Sequence, residues 1–151
     1  MELKNWVTTA LRKFSEVFRR QPNLAPEPPK YSTFTRFIFD KHFTKQPLMA
    51  KPGAFLPGSG LKTSALGKDK LSERSIWEIG IAIGKARQRL PKARADFSDN
   101  AVKEAKLTVE HDPQTEIPDH VNLCGWPIEK DEQKSIALLL CQRSKLILSG
   151  G

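Results

Sequence analysis

The chain has 151 residues, 38% of them hydrophobic and 28% charged, with a formal net charge of +8 and a pI near 9.7. That length suits one domain burying about two-thirds of its unfolded surface. No apolar run approaches the roughly 20 residues that span a bilayer, and Cys124 and Cys141 are too few for a disulfide scaffold.

Residues 2–20 carry the clearest helical rhythm. Leu3, Trp6, Val7, Ala10, Leu11, Phe14, Val17 and Phe18 recur at helical spacing, and Lys4, Arg12, Lys13, Arg19 and Arg20 take much of the remaining surface. This predicts a basic amphipathic helix over residues 1–20. Its stripe would pack on the domain, on a second copy or on a protein partner. Peripheral contact with an anionic membrane is the less favoured alternative. The segment lacks the apolar core and cleavage site of a secretory signal, so the expected setting is cytoplasmic. QPNLAPEPPK, residues 21–30, holds four prolines in ten residues and is expected to be a stiff linker.

From residue 31 the pattern alternates between strands and helices. YSTFTRFIF, residues 31–39, is β-branched and aromatic and predicts a strand. The prolines and glycines from Pro47 to Gly60 predict a long irregular path, followed by a short strand at 61–66. Ser72 is the expected cap of a helix over about 73–90, with Ile76, Ile79, Ile83 and Leu90 on one face and Trp77 and Ile81 widening it. Gly80 and Gly84, four apart, would let another backbone approach that helix. Ser98 caps a second helix over 99–106, strands are predicted at 107–110, 120–125 and 145–148, and a helix at 129–142. The fold class expected is α+β, with α/β as the alternative: one small compact domain over 31–151 with a short mixed sheet.

The charge is unevenly spread. Residues 31–70 carry seven basic and two acidic groups, whereas residues 111–151 carry four and six. A positive first half attracts polyanions, whether nucleic acid, membrane or acidic protein. Two clusters could neutralise phosphates: Arg36, Lys41, Lys45, Lys51 and Lys62, then Lys85, Arg87, Arg89, Lys92 and Arg94. Tyr31, Phe34, Phe37, Phe39, Phe43 and Phe55 interleave with the first cluster, either as stacking platforms or as core residues; the core reading is favoured. The second cluster straddles a helix C-terminus, where cations also complement the helix dipole.

Catalytic patterns are weak. His42, His111 and His120 match no zinc spacing. His120 and Cys124 share one face of a strand, but about 13 Å of extended chain separates them, too far for proton transfer. Residues 52–64 contain glycines, Lys62, Thr63 and Ser64 without the order of a phosphate-binding loop. Arg36, Ser64 and His120, all on predicted strands, resemble the core-strand arginine and serine of ADP-ribosyl-transferring folds, by analogy only.

The stretch PDHVNLCGWPIEKDEQKSIALLL resembles the ending of short uncharacterised bacterial proteins with a His-x-Asn-x-x-Gly-Trp-Pro turn before a helix. The matching residues are His120, Asn122, Gly125, Trp126, Pro127, Lys130 and Ala137. The resemblance implies a bacterial cytoplasmic setting and one compact domain, and no activity. The function expected from sequence is a small basic non-enzymatic module that binds nucleic acid, with no cofactor, metal or catalytic residue. The alternatives are an adaptor using residues 2–20 and a small enzyme with a cleft around Arg36 and His120, where His120 would line a pocket.

Overall fold

The computed structural model describes residues 27–150, so the predicted helix over 1–20 and most of the linker lie outside the described residues. The main sheet runs, in chain order, through β1 (Thr33–Ile38), β4 (Thr63–Gly67), β5 (Ala93–Ser98), β6 (Thr108–His111), β7 (His120–Cys124) and β8 (Lys145–Leu148). Across the sheet the order is β6-β7-β4-β1-β5-β8, and β2 (Phe43–Lys45) and β3 (Leu48–Ala50) form a separate hairpin. Three helices, α1 (Glu73–Arg87), α2 (Asp99–Glu104) and α3 (Lys130–Arg143), complete an α+β domain. Every pairing is antiparallel, which corrects the expected mixed sheet.

Strand alternation divides the sheet into two unlike faces. Phe34, Ile38, Ala65, Ala95, Phe97, Val121, Leu123 and Leu146 point to one face and form the main core with Phe55, Val102, Trp126, Ala137 and Leu140 from the covering segments. Phe97 stacks on Phe34 at 5.5 Å between centroids and meets the edge of Phe55 at the same distance. The opposite face carries Thr35, Phe37, Leu66, Arg94, Asp96, His120 and Asn122 and is covered in part by α1. A sheet with one apolar and one polar face needs different means of attachment on each side.

Helix α1 attaches by close approach and by charge. Ser72 caps it by accepting from Ser75 N at 3.1 Å, as its sequence position predicts. A Cβ at Gly80 would fall 2.5 Å from the Phe37 ring, and one at Gly84 would fall 2.1 Å from Arg89 O. Gly80 therefore lets the helix approach Phe37 of the sheet, and Gly84 lets the chain after the helix fold back against its last turn. It ends at Arg87 because Gln88 adopts a left-handed conformation, φ 56°, and reverses the chain towards β5. Leu90, expected on the buried face, is consequently 70% exposed, and Ile81 points away from the sheet at 39%.

Strand β5 lies inside what reads as a basic surface run. ARADFS alternates: Ala93, Ala95 and Phe97 enter the main core while Arg94, Asp96 and Ser98 face α1. The region expected to be irregular holds the β2–β3 hairpin and a 3-10 turn at Pro52–Ala54 that delivers Phe55 to the core. The segment HVNLCGWP is a strand-to-helix joint: Gly125 turns with φ 90°, and Trp126 is buried with Nε1 donating to Leu123 O at 3.1 Å.

The start of β1 is tied to the loop after β4 by one carboxylate. Ser32 and Thr33 each donate to Asp69 from backbone nitrogen and hydroxyl, at 2.7–2.9 Å. Desolvation opposes the charged form, but these four bonds outweigh it and hold Asp69 down at about 2. A depressed carboxylate contributes stability above its unfolded value and loses it as pH falls through its folded value. Between about pH 4 and pH 2 the wild type is therefore expected to lose more stability than Asp69→Asn, measured by urea unfolding across pH. On the same assay Gly84→Ala lowers stability by about 1–3 kcal/mol despite alanine's helix propensity. Gly58→Ala, with nothing within 4 Å of the added Cβ, stays within about 0.5 kcal/mol of wild type.

Candidate functional site

The two basic clusters of the sequence meet at one end of the sheet. Strand β1 runs out through Phe39, Asp40 and Lys41, while α1 ends at Arg87 and the chain returns through Arg89 and Lys92 into β5. Three contacts join them: Lys92 N donates to Ile38 O at 2.8 Å, Arg89 pairs with Asp40, and the Arg87 guanidinium lies 5.1 Å over the Phe39 ring. An open cleft of about 680 Å³ lies here, lined by Asp40, Lys41, Arg89, Lys92 and Ser149 among others. Residues 45 or more positions apart in the chain thus share one surface. Asp40 is the one carboxylate in the lining.

Other residues of the expected interface are placed differently. Lys41, Lys85, Arg87 and Lys92 are exposed and have no carboxylate partner among the described residues. Lys45 ends β2 and Lys51 follows β3; both are exposed. Lys62 pairs with Glu110 at 3.2 Å beside β4. Arg94 is a correction: it has no exposed surface, because alternation on β5 points it under α1. Its Nη2 lies 2.7 Å from Glu73 Oε2, its Nε lies 3.2 Å from Asp96 Oδ1, and its guanidinium carbon is 5.0 Å over Trp77. A buried, paired guanidinium reaches no phosphate.

The aromatics of the first cluster serve packing. Tyr31, Phe34, Phe39 and Phe55 are buried, and Phe37 and Phe43 are half-buried. Stacking on exposed rings is therefore not how this surface would hold a strand. Charge is.

A second feature lies beside the basic end. Strands β1 and β4 pair only through Phe34 and Thr35, whereas β1 and β5 pair along six residues. Where β1 and β4 part, the half-buried Arg36 fills the opening. Its Nε donates to Ala54 O and its Nη1 to Ser64 O, the latter at 2.6 Å. Burial, and then the neighbouring Arg87, pull Arg36 down to about 10. A pocket of about 50 Å³ opens over it, lined by Arg36, Ser64, Arg87 and His120 within walls that include Phe37, Phe39, Leu66, Ile83 and Ile117. Arg36 and His120, paired in the enzymatic alternative, do share this pocket.

His120 is held by Asp112, across the turn between β6 and β7. Its Nδ1 donates to Asp112 O at 2.9 Å, while the Asp112 carboxylate accepts from Asn122 Nδ2 at 3.0 Å. Spacing along the chain does not announce that contact, because the turn between β6 and β7 creates it. Cys124 Sγ faces Asn122 O at 3.8 Å, and His120 makes no bond to it. Burial pushes the Cys124 thiol up and drives Cys141 to about 11. Among the described residues no group of three His, Cys, Asp or Glu side chains could hold a metal ion, and no helix is long and apolar enough to cross a membrane.

Fold and site together define a small α+β domain with an antiparallel six-stranded sheet and a basic end. No family of known proteins, no curated protein and no solved structure matches the chain. Because both thiols are raised, neither is expected to act as a nucleophile. Alkylation of the folded protein near neutral pH should run about tenfold or more slower than after unfolding in urea, by mass spectrometry of both cysteine peptides.

Proposed function

We propose that this domain binds a polyanion, nucleic acid in the first place, through Lys41, Lys85, Arg87, Arg89 and Lys92. The observation that carries the reading is that Lys41, Arg89 and Lys92, from two distant segments, line one cleft with a single carboxylate, while Arg87 lies over the adjoining Phe39 ring and Lys85 is exposed in the last turn of α1. Residues 80–92 contribute Lys85, Arg87, Arg89 and Lys92 and no acid at all. Binding of this kind neutralises phosphates and releases counterions, so it is sequence-tolerant and falls steeply with salt. Lysines spread over a surface act as point charges and suit the backbone of either DNA or RNA.

The groove on the other flank of α1 does not suit the same ligand. It is lined by Leu71, Ile79, Ile83 and Ile117, with Glu78, Glu116 and Asp119 among them, and a phosphate backbone there would meet like charge. The polyanion is accordingly directed to the β1–β5 end.

Full-length protein is expected to retard single-stranded RNA or DNA in a gel-shift assay at about 50 mM salt, with log affinity falling against log salt at a slope of about −3 for roughly four neutralised phosphates. The triple variant Lys41→Glu, Lys85→Glu, Lys92→Glu abolishes the shift while leaving the circular dichroism spectrum unchanged. Absence of retardation by the wild type at that salt would overturn the reading.

A further inference from the structure

We propose that the pocket over Arg36 is a binding site for a single phosphomonoester, carried by a nucleotide or by the 5′ end of a strand. It goes beyond the surface reading and shares only Arg87 with it.

Four observations carry it. First, the lining brings two guanidinium groups and an imidazole together with Ser64 and holds no carboxylate; that of Asp112 lies behind the ring, 3.4 Å from His120 Nδ1, and those of Glu116 and Asp119 lie in the adjoining groove. Like charges in partly apolar surroundings oppose one another, and an anion between them removes that opposition.

Second, Arg36 is held in a fixed orientation. Its Nε and Nη1 donate to the carbonyls of Ala54 and Ser64, which fixes the guanidinium plane and leaves Nη2 with no acceptor among the described residues. A planar fork held this way loses little freedom when it takes up an oxyanion. Arg87 is steadied in turn by the Phe39 ring.

Third, His120 donates Nδ1 to Asp112 O, so Nε2 has no partner among the described residues. A neutral ring accepts there from a P–OH group, and an imidazolium donates there to a P–O⁻ oxygen; both forms match a phosphomonoester.

Fourth, the size fits. At about 10–15 Å³ for each water-sized group, a volume of about 50 Å³ has room for one tetrahedral oxyanion. The rest of the ligand would lie outside, and Arg87 connects the pocket to the basic surface.

The test uses full-length, isotopically labelled protein, with nuclear magnetic resonance of the His120 ring and arginine side chains and fluorescence anisotropy of short oligonucleotides. AMP and a 5′-phosphorylated strand are expected to shift the His120, Arg36 and Arg87 signals, while adenosine and the matching 5′-hydroxyl strand leave His120 and Arg36 unmoved. The phosphorylated strand should bind at least about tenfold tighter than its hydroxyl counterpart, as one charge-assisted contact provides. His120→Gln should remove that preference and leave hydroxyl-strand affinity unchanged, with Arg36→Gln, which lies outside the surface set, as a second variant should the first fold poorly. A response to AMP alone assigns the site to nucleotides, and a response to the strand alone assigns it to strand ends. If neither phosphate-bearing probe moves His120 and Arg36 at millimolar concentration, the pocket is not a phosphomonoester site. That result stands apart from the surface reading, which fails only if the hydroxyl strand also goes unbound.

Discussion

The organisation of this domain depends on the burial of one charge. Arg94 lies beneath α1 with no exposed surface, between the Trp77 ring and the carboxylates of Asp96 and Glu73. Glu73 is largely exposed, so its attraction is screened by solvent; Asp96, one-tenth exposed, is the partner that balances the charge. Lys68 reaches the same carboxylate at 2.8 Å and joins the β4–α1 connection to the network. Nη1 of Arg94 has no hydrogen-bond partner, so the arrangement leaves part of its desolvation uncompensated. Breaking such a pair by removing one member typically costs about 3–5 kcal/mol, because the remaining charge is left buried alone. On the polar face of the sheet this pair acts together with the close approach at Gly80 and the buried Leu66 and Ile76 side chains to hold the helix.

The functional features follow from that attachment. With α1 held close, its C-terminus comes down beside the end of β1, and the cations of the two segments lie on one surface. Helix end and strand end also frame the opening where β1 and β4 part. The basic cleft and the Arg36 pocket are thus two consequences of one placement. They differ in chemistry: the cleft is open and lysine-rich, whereas the pocket is small, walled with apolar side chains and built on arginine and histidine. The first suits a diffuse polyanion, the second a single oxyanion.

Much of the fold is legible along the chain, for local reasons. The cap at Ser72, the alternation of His120–Cys124 and the glycines of α1 each act within a few residues, and the structure agrees with all three. Strand β5 is harder to read. Its inward positions hold two alanines, which carry little hydrophobic signal, and its outward positions hold Arg94 and Asp96, which read as surface. The β2–β3 hairpin escapes for the opposite reason: strands of three residues are too short for any period to emerge among prolines. Of the ten proposed phosphate-binding cations, Arg94 is misread because burial of a charge depends on partners that sequence does not display.

The sequence by itself determined the α+β class, the positions of the three helices among the described residues, the basic first half and the role of the Gly-Trp turn as a joint. These rest on propensity, capping, hydrophobic period and charge count, all short-range or additive along the chain. Only the tertiary structure decided which cations are free, which are buried, and that Arg36, Arg87 and His120 face one pocket. Those outcomes depend on strand order and on how closely α1 approaches the sheet. Both are set by contacts between residues tens of positions apart, where the environment of a charge, and not its identity, decides what it does.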